Sequence, residues 1–390
     1  MREPPPPPPE SEVERALVRT IPRASAQAIV LTGVRRCGKS TLLSQVLRRG
    51  RPSVFVNFED TRLFGMGPED FPSFLAVLDE ARPSVVGIDE VQEVPEWQRL
   101  VRALLDRRRT VLVTGSNASL LGREVGARLT GRHLSFEVHP FSYAEYLAWS
   151  GRPAGEPSLC SWLDEGGFPS RLREGSDAFL RELLRDIIQR DIASRHGLRE
   201  LRHVLNLALF LLANTGQPFS MRRLTRSLSM PTVSQTSRYL EYLQDAYLLF
   251  AVPKFSSSFR QRVISPPKYY AVDNGLRRAN SPQNAPDLGH RLENAIYLEL
   301  RCRGAIPAWA GETDTWECDF VTEDAIIQVC AELTRTNMAR ELAGIGHATA
   351  LPGPRKRRAL IVTLRQSDRL AVDGHPVEVV PAWKWLVSNR

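Results

Sequence analysis

Gly33-Val34-Arg35-Arg36-Cys37-Gly38-Lys39-Ser40-Thr41 is the stretch on which the reading of this chain turns. Two glycines enclose four residues, and a lysine and a serine follow at once, which is the spacing of the Walker A loop. The context is the one such a loop requires: an apolar, strand-like run at 28–32 precedes it, and a helix-like segment to Leu47 follows. Gly33, Arg35, Arg36, Cys37, Gly38, Lys39, Ser40 and Thr41 are therefore expected to hold ATP. Backbone amides and the helix N-terminus cradle the phosphates, Lys39 reaches the β and γ phosphates, and Ser40 ligates Mg2+.

The alternation continues outward from the loop. A strand at 53–58, a helix near 71–81, a strand at 85–88, a helix at 96–107 and a strand at 110–114 follow in turn. Strands alternating with helices imply a parallel sheet covered on both faces. The strand Val85-Val86-Gly87-Ile88 ends in Asp89 and Glu90. Diverging side chains at a strand end give two adjacent acids separate tasks: Asp89 for magnesium, and Glu90 to position and deprotonate the attacking water. The next strand ends in Val113-Thr114-Gly115-Ser116-Asn117, where Asn117, or Ser116 in its place, is the candidate sensor of the γ phosphate. Asn57, at the end of the strand Val54 to Val56, is placed to restrain Glu90 until a partner binds. Arg123, Arg128 and Arg132 follow; of these Arg128 or Arg132 is the candidate to act across a subunit boundary on a neighbour's γ phosphate.

Composition sets the frame around this site. A chain of 390 residues predicts two or three domains, and 42% hydrophobic with 25% charged residues are globular proportions. The apolar run at 205–213 falls well short of the roughly 20 residues of a membrane span. The start, Met1-Arg2-Glu3 and then prolines Pro4 to Pro9, lacks the apolar core of a secretory signal, so the expected location is the cytoplasm with no membrane partner. Five scattered cysteines without a CxxC pair fit reduced thiols and argue against a structural zinc site. The net charge of +8 suits a polyanionic partner, although only five of the 52 basic residues are lysines, a bias that a genomic habit also explains.

Segment boundaries follow from composition shifts. Residues 1–11 form a proline-rich arm expected to be disordered, 12–139 the nucleotide-binding α/β core, and 140–200 a helical region with a long 3.6-period stretch at 178–194. In 201–265 a short helix (221–228), the turn Ser229-Met230-Pro231, a longer helix (232–246) and a β-like run (248–255) have the layout of a winged helix. Val233, Leu240, Leu243 and Tyr247 form the expected buried face of the longer helix. Thr232, Ser234, Gln235 and Arg238 lie opposite, and with Arg222 and Arg223 they are the candidate DNA contacts, Arg260 and Arg262 lying near. The last segment, 266–390, reads as mixed α/β, with a helix at 290–303 and strands at 318–322, 325–329 and 359–364.

The stretches LTGVRRCGKSTLL, VNFED, GIDEVQEVPEW, VTGSNASLL, RLTGRHLSFEVHPFSYAEYL, GGFP, DNGL, LENAIYLEL and CDFV occur in order from about Ile21 onward. Together they resemble the prokaryotic AAA-type (AAA+) P-loop ATPases that carry a winged helix and a C-terminal restriction-endonuclease-like domain of unknown function. The resemblance implies ATP binding and hydrolysis, DNA as a partner, and an α/β fold of three parts: a P-loop AAA+ domain with a parallel sheet, a helical and winged-helix middle, and the endonuclease-like end. A nuclease of that fold needs an acid on its first helix, an Asp on a strand, and an acid-x-Lys on the next strand. Glu293, Asp319 and Gln328 occupy the first places, but Cys330 stands where the lysine belongs and Arg335 is too far along. The expectation is a degenerate nuclease site that binds or scaffolds. The functional expectation is an ATPase acting on DNA as a homo-oligomer, a hexamer or smaller ring. The alternatives are an ATP-switched, non-enzymatic regulator with a protein partner, and an ATP-gated nuclease.

Overall fold

The computed structural model describes residues 12–115, 131–281, 288–312, 315–353 and 357–388. Contacts divide the chain into two compact units, one of residues 1–139 with 245–247, the other of 140–244 with 248–390.

The first unit is built on five parallel strands: β1 (Ala28–Thr32), β2 (Ser53–Asn57), β3 (Val85–Asp89), β4 (Thr110–Thr114) and β5 (His133–Glu137). They lie in the order β2-β3-β4-β1-β5. The three inner strands are buried at every position, as their unbroken apolar runs require when helices cover both faces of a sheet. The edge strand β2 instead alternates between buried and half-buried residues. Helix α1 (Lys39–Leu47) follows β1, α2 (Phe71–Ala81) follows β2, and α3 (Trp97–Asp106) follows β3. Phe71, Phe74, Leu75 and Leu78 of α2 and Trp97, Leu100, Val101 and Leu104 of α3 recur at helical spacing. They share one core with Val30, Val54, Val56, Val86, Ile88, Val111 and Val113. Because β1 sits between β4 and β5, the chain leaves it to run out to β2 and returns beside it at β4. The carboxyl ends of β1, β3 and β4 are thereby side by side where the winding reverses, the place at which open α/β sheets bind ligands.

The second unit opens with helices α4 (Tyr143–Ser150), α5 (Glu156–Glu165), α6 (Pro169–Glu174) and α7 (Asp177–Asp186). The long helical stretch expected at 178–194 is not one α-helix: from Ile187 to Ser194 it widens into π-type turns. Helices α8 (Arg202–Ala213), α9 (Met221–Ser227) and α10 (Val233–Asp245) come next, then the antiparallel pair β6 (Leu249–Val252) and β7 (Lys268–Ala271). Short helix α11 (Phe259–Ile264) lies between these strands, and Pro218 bridges to Lys268. After α12 (Asn274–Asn280) and α13 (Leu288–Cys302) comes a mixed sheet of β8 (Ala308–Glu312), β9 (Trp316–Val321), β10 (Ala325–Val329), β11 (Arg358–Thr363), β12 (Asp368–Val372) and β13 (His375–Pro381). Its order is β12-β13-β11-β10-β9-β8, with α14 (Met338–Thr349) against β9 and β10. The polar, alternating strands β12 and β13 and the Ala/Gly-containing β8 give weak apolar signals, and sequence reading missed all three.

Two quoted motifs have an architectural role. Asp273 of DNGL accepts hydrogen bonds from the amides of Leu276 (2.8 Å), at the start of α12, and Gly167 of GGFP (2.6 Å). One buried carboxylate thus caps a helix and pins a loop 106 residues away in sequence.

Candidate functional site

The loop after β1 is shaped by backbone that side chains do not tolerate. Gly33 has φ +146°, and a Cβ there would lie 2.1 Å from the carbonyl oxygen of Val138. Gly38, the residue before α1, has φ +101°. Arg36 is also left-handed, with φ +63°. Lys39 is buried, and its ammonium donates to the carbonyls of Gly33 and Val34, each at 3.1 Å. The lysine is thus folded over its own loop. Buried Arg15 braces the loop, donating to the carbonyls of Cys37 (2.8 Å) and His139 (2.6 Å). Burial raises the pKa of the Cys37 thiol, so it packs as a small apolar residue.

At the ends of β3 and β4 a hydroxyl joins the two acids. Thr114, fully buried, donates from Oγ1 to Asp89 Oδ1 and accepts the amide of Glu90 at 3.0 Å. Asp89 is also hydrogen-bonded to Ser40; its pKa is raised by burial, against the opposing pull of these two bonds. Glu90 turns out of the strand with φ +52°, and its carboxylate accepts a hydrogen bond from the Gln92 amide. Asn57 pairs in register with Asp89, but its side-chain oxygen accepts the amide of Glu59 at 2.9 Å. The hydrogen bond holding Glu90 therefore comes from Gln92, where sequence reading placed Asn57. Thr114 and Gln92 were both overlooked. The signal for Thr114 was present, since it follows directly on the apolar run Val111-Leu112-Val113 at the strand's carboxyl end.

Asn117, Arg128, Ser116 and Arg123 lie outside the described residues. Arg132 is exposed and paired with Asp106 at 3.2 Å. Ser40 and Thr41 are exposed beside the loop. The oxygens of Ser40 and Asp89 are the hard donors that Mg2+ takes while it keeps phosphate and water ligands, so these residues fit that ion.

A second cluster lies in the other unit. Glu293 of α13 and Asp319 of β9 come together as expected, and Gln328 of β10 stands beside them, its Oε1 accepting the Asp319 amide at 3.3 Å. Cys330 keeps the place where such a lysine belongs, but a lysine reaches the acids from another element. Lys268 of β7 has a fully buried side chain, and its Nζ meets Glu293 Oε1 (3.2 Å), Glu317 Oε1 (2.8 Å) and Asp319 Oδ1 (3.2 Å). Sequence reasoning passed over it because it sits in the hairpin, 51 residues before Asp319. Glu293, Glu317, Asp319 and Gln328 line a groove of about 1000 Å³. Cys330 is buried there, its thiol pushed up to about 12 by burial and the nearby Glu341, which leaves it protonated.

On α9 and α10, Arg222, Arg223, Thr232, Ser234 and Arg238 are exposed, as are Arg260 and Arg262 on α11. Gln235 is half-buried and bonded to the Tyr239 hydroxyl at 2.6 Å, so it is less available to a partner. Val233 is 43% exposed and not part of the buried face. Thr236, Tyr239, Leu240 and Leu243 form that face, because Val233 starts the helix one turn before the stripe begins.

Residues 25–147 match the family model of an AAA domain. Together with the parallel sheet and the P-loop this defines the class: the first unit is an AAA-type P-loop domain, a nucleotide-binding fold. Residues 158–287 match a domain family of unknown function. An uncharacterized protein of Methanocaldococcus jannaschii is 29% identical over 92% of this chain and 88% of its own length. One of Haemophilus influenzae is 29% identical over 92% and 94%. The Orc1 protein of Aeropyrum pernix in complex with DNA aligns with 65% of this chain and 86% of its own at 12% identity and a TM-score of 0.28, too distant a likeness to inform fold or partner. Among the described residues no helix is long and apolar enough to cross a membrane.

Proposed function

We propose that the chain binds and hydrolyses ATP with Mg2+ and couples that cycle to DNA. The observation that carries the reading is the Ser40–Asp89–Thr114–Glu90 chain of hydrogen bonds at the mouth of the P-loop. Lys39 exchanges its two carbonyl acceptors for phosphate oxygens, and the amides at the start of α1 hold the phosphates. Ser40 and Asp89 hold magnesium, which supplies charge neutralisation on the phosphates when bound. Glu90, released from Gln92, orients the water and takes its proton. Asn117 and an arginine, Arg128 or Arg132, acting between copies in a ring, complete the assignment.

The DNA part rests on the helices and the β-run of 201–265, read as a winged helix, and on the exposed Arg222, Arg223, Thr232, Ser234 and Arg238. Region 266–390, read as restriction-endonuclease-like, serves binding and not cleavage. All three N–H groups of the Lys268 ammonium are matched by the three carboxylates, which leaves none to orient a water. The deciding experiment is steady-state ATP turnover of the wild type and Glu90→Gln, without DNA and with single-stranded, duplex and branched DNA at low salt. A DNA-stimulated rate lost in the variant is expected. Tight ATP binding with negligible turnover would move the reading to an ATP-switched regulator with a protein partner.

A further inference from the structure

Three carboxylates and one ammonium meet in the second unit at a place that the ATPase reading does not use. Glu317 and Asp319, two apart on β9, project from the same face of the strand. Glu293 comes from α13 and Lys268 from the hairpin. We propose that Lys268 is a tethered cation: its ammonium occupies the position among Glu293, Glu317 and Asp319 that a divalent metal takes in a carboxylate centre, so the cluster is held together without a metal ion.

Four features of the cluster support this. First, the ammonium is saturated, with one carboxylate oxygen for each of its three N–H groups, at 3.2, 2.8 and 3.2 Å. The Trp309 ring lies 5.9 Å from Nζ and adds an attractive face. Second, two of the three oxygens facing away from the lysine, those of Asp319 and Glu293, are engaged by protein groups. Asp319 Oδ2 accepts the Val329 amide at 2.9 Å, and His290 Nδ1 lies 3.5 Å from Glu293 Oε2. Tyr270 donates its hydroxyl to Glu293 Oε1 at 2.6 Å, the oxygen that also faces Lys268.

Third, position 328 is an amide. Gln328 accepts from the Asp319 amide through Oε1 and donates from Nε2 to Glu341 Oε2 at 2.7 Å, a donor role that an ionised carboxylate cannot fill. The charge it withholds matches a centre built for a single positive charge and not for two. Fourth, the cluster borders the groove of about 1000 Å³, so ions reach its rim, with Glu317 47% exposed there. An ion in the groove thus meets a cluster whose centre the Lys268 ammonium already fills. The electrostatics divide between the acids. Burial disfavours the ammonium, yet the three carboxylates raise Lys268 above its ordinary pKa. Against burial, Lys268, with His290 and Tyr270, holds Glu293 below the usual carboxylate range, whereas burial and the neighbouring Glu293 push Asp319 up, so the charge of the lysine serves Glu293 first.

The test uses the full chain, nucleotide-free, with Mn2+ as the probe. Wild-type melting should be unchanged between EDTA and Mn2+. In EDTA, Lys268→Met should melt lower by on the order of 10 °C, because it strands buried carboxylates without a counter-charge. Mn2+ should restore at least half of that loss, and adding Asp319→Asn to the variant should abolish the rescue and so locate the ion. A folded Lys268→Met that melts like the wild type, or one that Mn2+ does not rescue, overturns the proposal. If the variant does not fold in either condition, Mn2+ titration followed by electron paramagnetic resonance decides on Asp89→Asn, in which the P-loop site is disabled. Retained Mn2+ binding that Asp319→Asn removes overturns the proposal, and its absence supports it. Neither readout depends on ATP turnover.

Discussion

Replacing Thr114 by valine removes one hydroxyl and keeps the shape, yet it cuts both bonds that tie Asp89 to Glu90. Thr114 is fully buried at the end of β4, its Oγ1 donating to Asp89 Oδ1 and accepting the Glu90 amide at 3.0 Å. A hydrogen bond to an ionised carboxylate contributes about 1.5–3 kcal/mol, and an amide left without a partner costs about 1–3 kcal/mol. Part of the first loss is recovered because Asp89 keeps its bond to Ser40. The expected cost to the first unit is therefore about 2–4 kcal/mol, read from denaturant unfolding. Under the ATPase reading the same loss lets Glu90 and Asp89 drift from their relative placement. At about 1.4 kcal/mol per tenfold, kcat should fall roughly 10- to 100-fold while ATP affinity changes little. Thr114→Ser keeps the hydroxyl and should stay within about threefold of wild type. The reasoning fails if the valine variant is as stable and as active as wild type, or if the serine variant loses as much as the valine one.

Gly33→Ala should cost at least about 3 kcal/mol in unfolding free energy, because its Cβ would press on the Val138 carbonyl oxygen at 2.1 Å and the backbone is at φ +146°. A melting temperature within error of wild type would refute that account of the loop. Arg222, Arg223 and Arg238 are exposed, so their alanine variants should melt as wild type does. If they meet phosphates, each should lower the slope of log affinity for duplex DNA against log salt by about one; an unchanged slope for all three would remove them from the interface.

The central strands and the loop between them were legible because local chemistry determines them. Ala28–Thr32, Phe71–Ala81 and Thr110–Thr114 appear with the bounds that pattern alone suggests. A strand covered on both faces must be apolar throughout, and a helix on a sheet must repeat its apolar residues at helical spacing. The Walker A spacing is likewise a local demand, two glycines where the backbone turns and a lysine and serine at a helix start. The π-type turns after Asp186 and the polar strands β12 and β13 leave no comparable trace, since an apolar period does not register how wide a turn is or which edge strand pairs.

From sequence alone, then, the chain carries a nucleotide-cradling loop on a parallel sheet, with Asp89 and Glu90 one strand away. What ties these parts together was decided by tertiary structure. Arg15 reaches His139 across 124 residues, Thr114 reaches Asp89 across 25, and Lys268 reaches Asp319 across 51. Such partners carry no periodic or spacing signal, because a hydrogen bond or ion pair needs only that folding bring two groups within about 3 Å in the right orientation. Lys268 is the clearest case. In the sequence it is one lysine after two prolines, and only the pairing of β7 with β6 and the packing of α13 and β9 around it make it the counter-ion of two buried acids and one exposed one.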